Sequence, residues 1–252
     1  MINNELQRRL FFGGLAIFAS AALIVLLNVI PMPYELAKCL VDKDGANVNY
    51  FAIQNIMWVM FFVGLSELFV RRASATFEAE ALALKLLPED EQTILNSADL
   101  VYYYKRSKSL SQYRLPRIIN LVISQFQTSK SVSMCNDIMK GSVELYDHEI
   151  DLKYSFLRYI LWAIPSVGFI GTVYGIAVAL NVVKSADSSD PDLLAKTVTG
   201  LSVAFYTTLV ALLMSCLLVL LMGVIQSREE KVLNSTARYC LNNLINRLYI
   251  KN

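Results

Sequence analysis

Two stretches of the chain, 159–183 and 197–227, contain no Asp, Glu, Lys, Arg or His, yet each carries hydroxyl groups among its apolar residues. Thr172 stands in the first; Ser202, Thr207 and Thr208 stand in the second. A hydroxyl in lipid can satisfy itself on a carbonyl of its own helix, so it is inexpensive there. The same oxygen can solvate water or an ion without a fixed charge. At one depth on facing helices, Thr172 and Thr208 would form a polar lining of this kind, with Ser202 and Thr207 at neighbouring angles. A proton or cation relay normally also needs a titratable group in the membrane. Neither stretch has one, so conduction would require a carboxylate from another chain.

Small residues accompany the hydroxyls. On a 3.6-residue helix Gly168, Gly171, Gly175 and Ala179 line one side with Thr172 beside them, and Gly200, Ala204, Thr208, Ala211 and Ser215 recur at intervals of four and three. Such stripes let helix backbones approach closely where no hydrophobic drive holds helices together. Simple helix packing accounts for the glycines and alanines. Pro165, with Ser166 beside it, breaks the backbone ladder at one end of the first stretch and suits either a hinge or a fixed kink. Glu67 is the one acid within another apolar run, and its spacing from Arg71 allows an interfacial salt bridge one turn on, against which a transport role has to be weighed.

These residues need spanning helices to position them. Hydrophobic residues make up 55% of the chain and charged ones 17%, too oily for an ordinary soluble domain. Runs at 10–30, 50–70, 159–183 and 197–227 each reach the roughly 20 residues that a bilayer crossing requires. Spans are therefore expected at 10–30, 50–70, 156–183 and 200–227. Arg8 and Arg9 precede the first as the charged region of a signal peptide would, but the apolar stretch is too long and a second span follows closely, which favours a retained anchor. Cys39, Cys135, Cys216 and Cys240 fall in four different segments without metal-ligand spacing, which argues against a disulfide scaffold.

Arg8, Arg9, Arg71, Arg72, Lys153, Arg158, Arg228 and Lys231 flank one side of the membrane if residues 1–9 are cytoplasmic. The connectors left outside, 31–49 and 184–199, each hold two lysines against three acids, a modest positive-inside bias. Residues 71–155 and 228–252 then lie in the cytoplasm. The first reads helical throughout: 73–87 up to Pro88, a new helix amino terminus at the acids Glu89, Asp90 and Glu91, a further helix from Pro116, and serine caps at 129–133 for a helix running from about 132 into the third span. In the tail, Leu233, Ala237, Leu241, Leu244 and Leu248 mark an apolar stripe on a helix continuing from the fourth span. The expected class is an all-α membrane protein with four transmembrane helices, a large helical cytoplasmic loop and a cytoplasmic C-terminal helix. A formal net charge of +2 and the short YYYKRSK stretch at 102–108, read as the end of a solvated helix, do not point to nucleic acid.

IPSVGFIGTVYGIAVAL at 164–180 resembles the glycine-threonine signature of the MotA/TolQ/ExbB proton-channel family, and GLSVAFYTTLVALLMS at 200–215 resembles that family's last span. The likeness covers 132–226 well and the remainder by topology. Four spans with the large loop after the second resemble the MotA-like and ZorA-like branch, since TolQ and ExbB have three. Val203, where those two usually show a glutamate, points the same way. That no long coiled coil stands after span four leads us to expect something other than the extended-tail defence type. The resemblance implies a bacterial inner-membrane subunit forming a homopentamer around a dimer of a single-span MotB/TolR/ExbD-like partner. That partner brings the ion-binding aspartate. It implies that Thr172 and Thr208 line the ion path, with Thr207 and Ser202 as weaker candidates and Tyr174 in packing.

The expected function is thus a stator subunit of a rotary motor driven by H+ or Na+, with no enzymatic activity and no cofactor besides the transported ion. A second reading is a membrane scaffold or signalling subunit recruiting a cytoplasmic partner through 71–155. A lone transporter is disfavoured, because no binding charge or inverted repeat is visible. Lys105, Arg106 and Lys108 suit a rotor contact or simply a solvated helix end.

Overall fold

The computed structural model describes residues 2–30, 39–41, 43–44, 47–48, 52–90, 95, 97–185 and 193–248. Most of the two expected outer connectors lies outside the described residues. Six α-helices carry nearly all of the rest: α1 (Ile2–Val29), α2 (Ile53–Ala83), α3 (Ser97–Lys108), α4 (Arg114–Ser129), α5 (Val132–Ser185) and α6 (Leu193–Asn243), followed by a 3₁₀ turn at Ile245–Arg247. The one sheet among the described residues is a two-residue antiparallel pairing of β1 (Lys43–Asp44) with β2 (Asn47–Val48), in the register Lys43 to Val48 and Asp44 to Asn47.

Helices α1, α2, α5 and α6 are long and apolar enough to cross a membrane. α5 holds 54 residues and α6 holds 51. At 1.5 Å per residue each is more than twice as long as the roughly 30 Å hydrocarbon core, so each crosses with part of its length and continues beyond it. The chain accordingly divides into two compact units: a span unit of Ile2–Val70 with Phe156–Gly223, and a second unit of Arg71–Ser155 with Val224–Asn252.

In the span unit apolar side chains point outward as readily as inward: Phe18 is 80% exposed, Phe169 66% and Leu220 63%. Water would not tolerate that much continuous apolar surface, and lipid does. The inward face of α1 is set by Ala16, Ser20 and Ile24, spaced four apart and buried. Phe12 of α1 meets Phe69 of α2 with ring centroids 5.3 Å apart. Glu67 takes both its oxygens to the Arg9 guanidinium, whose Nε donates at 3.0 and 3.1 Å, with a further bond from Nη2. This partner comes from 58 residues away and ties α1 to α2.

The second unit is built on an aqueous-style core. α4 places Leu115, Ile118, Ile119, Val122, Ile123 and Phe126 on one buried face, the three-and-four spacing of an amphipathic helix. Leu86, Leu95, Leu100, Cys135, Cys240 and Leu244 close over it. Some boundaries differ from those read in the sequence: α4 begins at Arg114, two residues before Pro116, and α6 ends at Asn243, so that Leu244 and Leu248 of the expected tail stripe lie beyond the helix. α2 stops at Ala83, four residues before the expected end, because Lys85 takes the left-handed conformation (φ 45°) and turns Leu86 and Leu87 into the core. The backbone of Leu87 then exchanges hydrogen bonds with the Tyr239 hydroxyl. Glu89 and Asp90 lie outside any helix, and Glu91, with the helix start expected there, lies outside the described residues. The carbonyls of Pro88, Glu89 and Asp90 accept from the Arg247 guanidinium, and the Leu95 N–H donates to the Arg247 carbonyl at 3.0 Å.

α4 starts without a side-chain cap from its own N-cap residue, Tyr113. Glu78 of α2 supplies one: its carboxylate accepts the Arg114 N–H at 2.9 Å. A negative group is favourable at a helix amino terminus, where amides are unpaired and the dipole is positive. The Arg114 side chain lies 3.9 Å from Glu78 and 3.5 Å from Glu229 of α6, over the Tyr146 ring, and the Tyr154 hydroxyl of α5 donates to Glu229 at 3.3 Å. Lys130 in the left-handed region (φ 52°) ends α4, and the Ser131 hydroxyl accepts the Met134 N–H to open α5.

Candidate functional site

Within the span unit α5 and α6 cross with their small-residue stripes in contact and in antiparallel register. A Cβ added at Gly175 would sit 2.8 Å from the Ala204 Cβ, one at Gly171 2.6 Å from Thr207 Oγ1, and one at Gly200 3.3 Å from the Ala179 Cβ. At Gly168 it would overlap the Ala211 Cβ outright. Each step of three or four residues along α5 is answered by a like step backwards along α6. At Gly168, Gly171 and Gly175 only glycine lets the backbones meet, whereas at Gly200 a methyl would require Ala179 to give by a few tenths of an ångström. Gly13 of α1, with nothing within 4 Å of an added Cβ, shows what an unconstrained glycine looks like here.

That approach brings three hydroxyls together. Thr172 Oγ1 and Thr208 Oγ1 hydrogen-bond to each other across the helix pair. Thr172 also reaches the Ala204 carbonyl at 3.1 Å and the Gly168 carbonyl at 3.3 Å. Thr208 reaches the same Gly168 oxygen at 3.3 Å, and Thr207 reaches it at 3.4 Å while donating to Ala204 at 2.8 Å. Three hydroxyls thus share two carbonyls. Each of those oxygens has two lone pairs, one of which already serves its own helix. The hydroxyls therefore compete for acceptors, and exchanging one arrangement for another breaks and makes bonds of similar worth, about 1 kcal/mol each.

The group is not uniform. Thr207 is buried in the helix contact against Gly171, whereas Thr172 and Thr208 are half-buried at its edge. Ser202 stands apart: six residues before Thr208, about 9 Å along the axis, it donates to Val198 of its own helix at 2.8 Å. Tyr174 is exposed. Among the described residues of 159–183 and 197–227 no ionisable acid or base approaches the threonines, since the sequence places none there.

Pro165 lies inside α5 without ending it. Lacking an N–H, it leaves the Leu161 carbonyl, four residues back, without its helical donor. An unpaired carbonyl in lipid costs on the order of several kcal/mol. The Ser215 hydroxyl of α6 fills the gap, donating to the Leu161 oxygen at 3.2 Å, and the Ser166 hydroxyl donates to Trp162 at 2.9 Å. Reading the sequence placed Ser215 in the small-residue stripe and missed this bond. The signal was there in principle, because a proline within a span implies an orphaned carbonyl needing a donor.

A helical, multi-pass membrane protein with a close small-residue contact between two spans and shared hydroxyls at its edge is the class these features define. The model of the MotA/TolQ/ExbB proton channel family matches residues 112–237, and the chain belongs to that family. The match takes in α4, the whole of α5 and α6 as far as its continuation into the second unit. Comparison with curated proteins and with solved structures returns no match.

Proposed function

We propose that the chain is the channel-forming stator subunit of a rotary motor driven by H+ or Na+, five copies surrounding a dimer of a single-span MotB/TolR/ExbD-like partner whose aspartate binds the ion. Membership of a proton channel family supports the channel. The observation that carries the reading is the Thr172–Thr208 pair, at the edge of an uncharged helix contact and sharing carbonyls with Thr207. A rotating contact has to let one aspartate pass successive subunits without trapping it. Hydroxyls offer hydrogen bonds of about 1 kcal/mol, whereas a fixed charge at low dielectric would bind the carboxylate many times more strongly. The chain performs no catalysis of its own and takes no cofactor beyond the transported ion. Its branch is MotA-like or ZorA-like, its membrane is the bacterial inner membrane, and both termini are cytoplasmic.

The test is dye-reported proton or sodium entry into vesicles holding the chain together with a co-expressed single-span protein of the MotB/TolR/ExbD type. Thr172→Val and Thr208→Val are expected to abolish ion entry while native mass spectrometry still finds five copies with two partners. Full entry by both variants overturns the ion-path assignment.

The scaffold reading draws on a different observation: every one of these hydroxyls has an acceptor inside the chain. It predicts that the same valine variants keep their function and that residues 71–155 bind the partner.

A further inference from the structure

Pro165 and Thr172 are seven residues apart on α5, and Ser215 and Thr208 are seven apart on α6. Seven residues make two turns, so the proline level and the threonine level lie on one face of each helix. At the threonine level the hydroxyls of Thr172 and Thr208 meet. At the proline level the Ser215 hydroxyl meets the one α5 carbonyl that the proline orphans, that of Leu161. Ser215 had another choice: a helical serine ordinarily bonds back to its own helix, as Ser202 does to Val198 and Ser166 to Trp162. It bonds across instead, because the Leu161 oxygen lacks its i+4 donor and a carbonyl facing α6 in an apolar unit has no water to turn to.

We propose that Ser215 is a positioning residue for the threonine face. Its hydroxyl replaces the N–H that Pro165 lacks, so that the α5 ladder is completed from α6, and the bond fixes the register in which Thr172 meets Thr208. Pro165 and Ser215 are then one device. The proline creates a hydrogen-bonding vacancy on α5 that only the neighbouring helix can fill, and this converts a local helix defect into an interhelical pin. The significance of the threonine register rests on the ion-path reading; the pin itself does not.

Two readouts on the full chain in lipid bilayers test it, neither involving ion conduction. Leu161–Trp162 is the only Leu-Trp step in the sequence, so labelling leucine carbonyls with ¹³C and tryptophan amides with ¹⁵N yields one solid-state NMR correlation that reports the Leu161 carbonyl. Ser215→Ala is expected to move that carbonyl resonance upfield, as loss of a hydrogen bond does, and Ser215→Thr to leave it in place. In a Pro165→Ala chain the backbone N–H is restored, and adding Ser215→Ala is expected to move nothing. The second readout is the rate of copper-catalysed disulfide formation between cysteines introduced as Thr172→Cys and Thr208→Cys. Ser215→Ala is expected to lower it several-fold in the proline chain and to leave it unchanged in the Pro165→Ala chain. An equal effect of Ser215→Ala in both backgrounds, or none in either, overturns the proposal. Should Ser215→Ala fail to fold in the proline chain and fold in the Pro165→Ala chain, the dependence on the proline is itself the expected result; failure in both overturns it.

Discussion

At the residue scale the glycines of α5 and the hydroxyls of α6 have separable duties. Gly168 is where a methyl has nowhere to go, so Gly168→Ala is expected to destabilise the protein by about 1–3 kcal/mol through overpacking, with Ala211→Gly restoring most of the loss. Gly13→Ala, in open space on α1, is expected to be neutral or to stabilise by up to about 1 kcal/mol. Thermal unfolding of the three variants in one detergent compares them directly. Thr207 and Ser202 divide in the same way. Thr207→Val alters a buried contact with Gly171, whereas Ser202→Ala removes only a bond to its own helix and is expected to leave melting unchanged.

At the scale of elements, the second unit hangs on a charge arrangement that spacing within one helix could not reveal. Arg114 sits between two acids from different helices, Glu78 of α2 and Glu229 of α6, all three nearly excluded from solvent. Removing one member of a buried pair strands the others. Arg114→Ala is expected to cost about 3–5 kcal/mol, read as a shift in the urea midpoint of the full-length protein. Burial holds the Glu78 carboxyl above its ordinary value, against the opposing pull of the Arg114 N–H and the charges of Arg114, Arg117 and Lys153. A carboxyl whose folded pKa exceeds its unfolded one keeps its proton longer in the folded protein. The unfolded state therefore binds fewer protons between the two values, and stability from this group declines as pH rises from about 4.5 through the folded pKa. Glu78→Gln keeps an oxygen to cap α4 and removes the titration, so the fall in melting temperature over that interval should be shallower than in the unaltered chain.

At the scale of the whole molecule, two units with different solvents share three helices, and each has its own stability to measure. Cys135 and Cys240 are buried in the core of the second unit, and burial pushes the Cys240 thiol up to about 12. Thiolate is the reactive form, so a water-soluble maleimide at neutral pH is expected to label neither residue until that unit opens. Labelling against temperature, read by mass spectrometry at each cysteine, therefore follows the second unit separately from the spans; prompt labelling of Cys240 at low temperature would contradict its burial.

Much of this organisation was legible beforehand because it rests on local rules. The four spans follow from apolar runs of sufficient length, α4 from its apolar spacing, and the start of α5 from the serine-rich break, each a property of neighbouring residues. The glycine-threonine motifs at 164–180 and 200–215 pointed to the family for the same reason. What the sequence left open is whatever depends on partners far along the chain. Arg9 holds Glu67, Glu78 caps α4, Arg247 gathers the carbonyls that follow Pro88, and Ser215 serves the carbonyl that Pro165 orphans. Local spacing determines what each group lacks, since a missing donor or a buried charge is a property of the residue and its own helix. Which distant group supplies the need is decided only when packing sets the register between helices, so that the tertiary structure alone settles it.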